Sequence, residues 1–173
     1  MTPTIRPLES YDARPLAEAF AAIGWKKPET QFQHYLEEAD AGHRLAFVAQ
    51  LGDDHAGYGT LRWTSFYAGF ARAEIPEIAD LNVLPDFRRR GVATKLLDQL
   101  EEQAFERSSR CGIGVGLHPG YGPAQRLYVK RGYVPDGTGA HYHDRPVQEG
   151  EELPLDDSLV LYLIKSARED YWV

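Results

Sequence analysis

The stretch PDFRRRGVATKLL, residues 85–97, sets Arg88, Arg89 and Arg90 side by side where an apolar helical pattern begins, with Gly91 and Ala93 two residues apart. A helix N-terminus carries about half a positive charge and several unpaired N–H groups, so unanswered basic residues there cost about 0.3–1 kcal/mol each. An anion in the turn reverses that conflict, because N–H groups, helix dipole and guanidinium groups then act in one direction. Small residues at 91 and 93 let a bulky phosphate reach the backbone, and a pyrophosphate satisfies every part of the pattern. The alternative is that the arginines are solvated or paired with Asp86, with Gly91 merely easing a turn. Other phosphate motifs are missing: there is no GxxxxGKS/T, and GIGVG at 112–116 has the wrong spacing for GxGxxG and opens no immediate helix.

The glycines 112, 114 and 116 fall on one face of a strand and Ile113, Val115 and Leu117 on the other. The bare face serves either close packing of a helix or a ligand chain lying against the backbone. HYHD at 141–144 resembles a fragment of a metal site, but two loop histidines without further ligands read as structural or substrate contacts, and no metal is expected. Glu149, Glu151 and Glu152 form either a solvated rim or an attractor for cations.

These groups need a scaffold. A chain of 173 residues fits one domain with a substantial core. Its 43% hydrophobic and 26% charged content is that of a folded protein. The formal charge of −7 disfavours general attraction to nucleic acid or anionic lipid, so the arginines act locally. No apolar run approaches a membrane span, and MTPTIRPLES lacks the pattern of a signal segment. The single Cys111 cannot form a disulfide within the chain, and a cytoplasmic setting is expected.

Periodicity gives a first strand at TIRPLE, then helices over YDARPLAEAFAAIG and ETQFQHYLEEADAG, each closed by a glycine. RLAFVAQLGDDHAGYGTLRW reads as a hairpin and IADLNVLP as a buried strand. Val92, Leu96, Leu97, Leu100 and Ala104 mark a helix of about five turns. CGIGVG is a short strand, GPAQRLYVKRG a helix stopped by Gly132, and SLVLYLIK a closing strand. The segment GTGAHYHDRPVQEGEELPLDD is expected to be a long polar loop. The pattern predicts an α/β or α+β layer fold on one sheet.

Element order and residues together resemble the GNAT superfamily of N-acetyltransferases, which use acetyl-coenzyme A, across nearly the whole chain. RRRGVA supplies the family turn Q/R-x-x-G-x-G/A through Arg88, Gly91 and Ala93. YGPAQRLYVKRGY follows a second family segment at Ala124, Leu127, Tyr128, Gly132 and Tyr133, with Tyr121 at the usual asparagine position. The resemblance implies a single GNAT domain over residues 1–173, with a mixed, mostly antiparallel sheet of six to seven strands and about four helices. It further implies that the backbone of Arg88, Arg89, Arg90, Gly91, Val92, Ala93 and Thr94 holds the coenzyme pyrophosphate. Leu81 and Val83 would line the pantetheine arm.

Acyl transfer to an amine needs the neutral form, only about one in a thousand for an alkylamine at pH 7. The family often carries a glutamate at the position of Glu77, which acts as base directly or through water; Glu74 and Asp80 are rivals. Strand alternation groups Glu77, Ala79, Leu81 and Val83 on one face and Asp80 and Asn82 on the other. Tyr128 matches the family acid and would donate a hydrogen bond to the departing thiolate. Trp25, residues 66–70 and the loop after Thr138 would wall an acceptor site for a small-molecule or peptide amine. A non-catalytic acyl-coenzyme A sensor is the alternative. The tail DYWV and the apolar last strand suit a homodimer or an interaction protein.

Overall fold

The computed structural model describes residues 1–167, so the tail DYWV lies outside the described residues. In chain order the elements are β1 (Thr4–Pro7), α1 (Ala13–Ala22), α2 (Glu29–Asp40), β2 (Arg44–Leu51), β3 (Asp54–Arg62), α3 (Ala68–Arg72) and β4 (Glu77–Val83). There follow α4 (Val92–Arg107), β5 (Arg110–Gly116), α5 (Gly122–Lys130), β6 (Val134–Tyr142), β7 (Arg145–Pro146) and β8 (Leu159–Ser166). The strands form a single mixed sheet, the expected fold class, with eight strands rather than six or seven and five α-helices rather than four. Three elements are additions to the periodic pattern: α3, with five residues, and β7, with two, are too short to leave a signal, whereas β6 has nine and is hidden by its irregularity.

The chain divides into two compact units, Met1–Arg62 with Ile78–Gln103, and Trp63–Glu77 with everything from Ala104 on. In the first unit β1 and β2 pair antiparallel, as do β2 and β3, whose turn passes through Gly52 at φ +67°. Leu16 and Phe20 of α1 and Phe32 of α2 are fully buried against Val48 and Tyr58. Each such side chain contributes about 1.5–3 kcal/mol by leaving water. Phe20 and Phe32 meet the Tyr58 ring edge-on at 5.4 and 4.9 Å, fixing both helices over β3. Gly57 and Gly59 matter for another reason. A Cβ there would lie 2.3 Å from Asn82 O and 2.8 Å from a Leu81 methyl, so only glycine lets β4 sit this close.

In the second unit β8 pairs antiparallel with β5 on one side and β6 on the other. Tyr67, Phe70, Ile75 and Tyr162 make its buried cluster. The alternating glycines of β5 are covered by aromatic rings: a Cβ on Gly112 would meet Phe70 at 2.3 Å and one on Gly116 would meet Tyr121 at 2.3 Å. Packing therefore claims the bare face, with rings in place of the helix expected.

The segment expected to be a long loop is half strand. β6 runs to Tyr142, but its pairing with β8 jumps between Pro135 and Ala140. The intervening Gly137 and Gly139 have positive φ, so the strand reads as a loop in sequence. Between β6 and β8, His143, Asp144 and residues 147–158 lack helix or strand.

Candidate active site

Beyond Leu84 the first unit turns through a 3-10 turn at Pro85–Phe87, and the Arg88 N–H closes it on Pro85 O at 3.1 Å. The Arg88 N–H is therefore not open to a ligand. The next six N–H groups, from Arg89 to Thr94, have no hydrogen-bond acceptor among the described residues; the ladder of α4 starts with Lys95 N–H to Gly91 O at 3.0 Å. Two left-handed residues fold this run, Arg89 at φ +58° and Gly91 at φ +81°. Alternation of right- and left-handed backbone turns successive N–H groups toward a common concavity suited to an anion. A Cβ at Gly91 would meet nothing within 4 Å. Glycine is thus required here by its φ and not by crowding, which sharpens the expectation from sequence.

The arginines differ in their settings. The Arg88 guanidinium lies 5.6 Å from the centre of the Trp25 ring and that of Arg90 lies 5.9 Å from Phe87. Arg89 is exposed. None of the three pairs with Asp86 among the described residues, so the ion-pair alternative fails. Trp25 itself stacks on Phe20 at 5.9 Å.

β4 departs from regular alternation at Asp80, whose φ is +55°. The expected two faces are therefore interrupted in mid-strand. The Asp80 carboxylate accepts from Lys27 Nζ (2.5 Å) and Asn82 Nδ2 (2.7 Å) on Oδ1. On Oδ2 it accepts from Gln31 Nε2 (2.8 Å), Tyr35 OH (2.7 Å) and Tyr58 OH (2.6 Å). Burial alone would raise its pKa, but the Lys27 ammonium and the phenol donors hold it below the usual carboxylate range. A carboxylate so saturated is a poor proton acceptor. Burial, with Asp80 beside them, pushes the Tyr35 and Tyr58 phenols far up, so both remain donors. Leu81 and Val83 are half-buried.

Glu77 opens β4 in the second unit and is half-buried. Its Oε2 accepts from Ser65 Oγ at 2.7 Å, and the Ser65 oxygen in turn accepts from the Tyr67 N–H at 3.0 Å. Ser65 is buried, and its two hydrogen bonds orient the carboxylate. Glu74 is exposed at a left-handed turn residue. The Tyr67 ring stacks flat on Tyr162 at 3.8 Å, and its hydroxyl donates to Asp136 at 2.8 Å. The neighbouring Phe66 is exposed.

Tyr128 sits on α5, 6% exposed, with its ring against Tyr133 at 5.9 Å. Its hydroxyl has no hydrogen-bond partner among the described residues. Burial, helped by Tyr121, raises its pKa, so it is a donor at every physiological pH. Tyr121 packs on Gly116, and its hydroxyl donates to Asp157 at 3.2 Å, beside His118 Nε2 at 2.8 Å.

The remaining sequence candidates have structural explanations. His141 is 1% exposed, its ring edge-on to both rings of the stacked Tyr67–Tyr162 pair. Among the described residues no three His, Cys, Asp or Glu side chains converge as a metal site would require. Glu151 is tied to Arg145, which draws its pKa down to about 2, so the acidic rim is partly neutralised.

The sequence profile of the acetyltransferase (GNAT) family matches residues 12–133, well over half of the chain and including both β4 and the arginine turn. The chain belongs to the GNAT family. No curated protein matches it in sequence. Among solved structures it is similar to the ribosomal-protein-S18-alanine N-acetyltransferase of Escherichia coli, at 17% identity over 99% of this chain and 100% of that one, with a TM-score of 0.67. The acetyltransferase YncA of Salmonella typhimurium, solved with acetyl-CoA, is similar at 17% identity over 99% and 98%, TM-score 0.69. The PaiA N-acetyltransferase of Thermoplasma acidophilum, solved with coenzyme A, is similar at 16% over 96% and 99%, TM-score 0.66. At these identities the likeness is one of fold.

Two features of this GNAT chain escape its sequence. Ser65 carries no motif that couples it to Glu77, twelve residues on. The donors around Asp80 come from α2, β3, β4 and the α1–α2 bend, up to 53 residues away, so no spacing announces them.

Proposed function

We propose that this protein is an N-acetyltransferase, one GNAT-type domain that moves an acetyl group from acetyl-CoA directly to a primary amine of a small molecule or peptide. The observation that carries this reading is the run of six open N–H groups on the left-handed turn before α4. It supplies uncompensated donors and guanidinium charge in a chain whose net charge is −7. That donor set fits a pyrophosphate. The backbone at Leu81 and Val83 is assigned to the pantetheine arm. The family membership supports both assignments, and the lone buried Cys111 suits a cytoplasmic enzyme.

Acetyl-CoA supplies an acyl group already activated as a thioester. The chain's own residues manage protons. Glu77, oriented by Ser65, accepts the proton that the acceptor ammonium must lose, directly or through water. Tyr128 presents its unpartnered hydroxyl to the sulfur that departs. A phenol near pKa 10 against a thiol near 8.5 makes full transfer uphill by roughly 2 kcal/mol before any shift. Its raised pKa widens that gap, so Tyr128 serves as a hydrogen-bond donor to the developing thiolate rather than as its proton source.

The test is free-thiol release from acetyl-CoA over a panel of polyamines, amino acids, aminoglycosides and peptides. Turnover with an amine is the expected result. A second reading, a non-catalytic acyl-CoA sensor, is favoured by one observation: Tyr121 at the usual asparagine position is committed to Gly116 and Asp157. Tight coenzyme binding without thiol release on any amine would select it.

A further inference from the structure

Three hydrogen-bond acceptors meet around one ring stack inside the second unit. The Tyr67 and Tyr162 rings lie flat on each other at 3.8 Å. On the Tyr67 side, Ser65 Oγ accepts from the Tyr67 N–H and donates to Glu77, the first acceptor. On the Tyr162 side, the hydroxyl donates to Oδ1 of the second, Asp144. Burial raises the Tyr162 pKa first, then Asp144, and the charge of Glu77 adds to both, so the two carboxylates lie within electrostatic reach of one hydroxyl.

The third acceptor is His141, edge-on to both rings and 1% exposed. A carbonyl can only accept, so the 3.1 Å bond between His141 Nδ1 and Gly139 O puts the proton of the neutral ring on Nδ1 and leaves a lone pair on Nε2. Nε2 has no partner among the described residues and is not sealed from solvent, so the sliver of surface that His141 keeps includes this nitrogen. A buried, oriented acceptor left open calls for a donor from outside the chain. Asp144 is its exposed counterpart. Tyr142 pairs with Arg145, so His143 and Asp144 form the two-residue β6–β7 turn, both with positive φ. Asp144 Oδ2 has no partner among the described residues, and the adjacent Arg145 is committed to Glu151.

We propose that Asp144 and His141 select an acceptor that carries a second, non-reacting ammonium group, as in an alkyl diamine: Asp144 Oδ2 takes the charge, and His141 Nε2 accepts an N–H of the same ligand. The inference rests on the reading of the protein as an amine acetyltransferase with Glu77 as its base, and every residue it uses belongs to the second unit. An ammonium held at Asp144 keeps its proton and is no nucleophile. The acceptor therefore needs a further amine, which loses its proton toward Glu77. A monoamine leaves one of the two carboxylates without a cation and is the weaker ligand.

Calorimetric titration of 1,4-diaminobutane and of butylamine into the full chain, with and without free coenzyme A, tests this without requiring turnover. Wild type is expected to bind the diamine about fivefold more tightly than butylamine, the scale of one exposed ion pair. Asp144→Asn keeps an acceptor for the Tyr162 hydroxyl and removes the charge, and is expected to bring the two amines level. Equal affinities in wild type, no diamine binding, or a preference that Asp144→Asn leaves intact overturns the proposal. His141 has its own readout: with histidine nitrogens isotope-labelled, its Nε2 resonance is expected to move as diamine binds, and a resonance that stays fixed at saturation removes His141 from the seat. A parallel titration with acetyl-CoA separates the two readings. Coenzyme binding without a diamine preference rejects only the ammonium seat, whereas a failure of the coenzyme to bind rejects the acetyltransferase reading itself.

Discussion

Ser65 Oγ donates to Glu77 Oε2 at 2.7 Å while accepting from the Tyr67 N–H at 3.0 Å, so one buried hydroxyl ties the proposed base to the backbone that precedes α3. Glu77→Gln preserves the shape of this contact and removes the proton acceptor. It is expected to lower kcat by about 10²–10⁴ with coenzyme binding retained, as read by thiol release and titration. Ser65→Ala leaves the Tyr67 N–H without its acceptor and is expected to cost about 1–3 kcal/mol of stability. Rescue of rate by Ser65→Thr distinguishes orientation of Glu77 from simple loss of folding.

Tyr128→Phe separates chemistry from packing. The hydroxyl bonds to nothing among the described residues, so its loss is expected to change stability by less than about 0.5 kcal/mol in thermal melts. The rate of thiol release should fall while the coenzyme affinity holds. Because burial raises the pKa of this phenol, its proton stays on from pH 6 to 10, and an alkaline limb in the rate profile of wild type must persist in Tyr128→Phe.

Asp80 and Asp12 are expected to contribute to the loss of stability in acid. Burial would raise both pKa values. Lys27 and two tyrosines bring Asp80 down, and Arg6 and His55 bring Asp12 down. A carboxyl whose folded pKa is depressed binds fewer protons folded than unfolded. Its stabilisation is complete above the unfolded pKa near 3.9 and is lost as pH falls through the folded value. Asp12→Asn is therefore expected to cost about 3 kcal/mol at pH 7, since Arg6 then stands without its buried partner. Urea titrations should show that deficit shrinking below about pH 4. A deficit that is constant down to pH 2 would contradict the linkage.

Gly112→Ala tests the ring packing on β5. The new Cβ would lie 2.3 Å from Phe70, itself 1% exposed and edge-on to Tyr67 and Tyr162. A cost of about 1–3 kcal/mol is expected in denaturant unfolding. A neutral substitution would mean that the glycines serve something other than these rings.

The long helices and the β2–β3 hairpin were legible because their apolar residues repeat over enough turns to be unambiguous, and Gly132 and Gly24 marked helix ends that the structure confirms by positive φ. The arginine turn was legible as a charge conflict at a helix start. Its mechanism was less so, since only backbone angles reveal that Arg89 and Gly91 are left-handed while the Arg88 N–H is already used. β6 was hidden by its own irregularity: residues 136–139 leave the ladder, and their glycines and polar side chains imitate a loop. Sequence leaves Asp80 a rival base, because alternation along EIADLNV puts it on the face opposite Glu77 and shows nothing of what surrounds it. Its φ of +55° and its partners from distant segments are tertiary facts.

The most direct test of the coenzyme reading is thermal melting of wild type, Gly91→Val and Arg89→Ala with acetyl-CoA or NAD. At a hundredfold excess over Kd, acetyl-CoA should stabilise wild type by about 2.7 kcal/mol, a rise of about 5–10 °C in Tm, with no rise from NAD. Gly91→Val, which cannot hold φ +81° without strain, should lose most of that rise, and Arg89→Ala should lose less. No shift with acetyl-CoA at millimolar concentration would contradict coenzyme binding at this turn, and a larger loss in Arg89→Ala than in Gly91→Val would mean that charge, not backbone conformation, governs it.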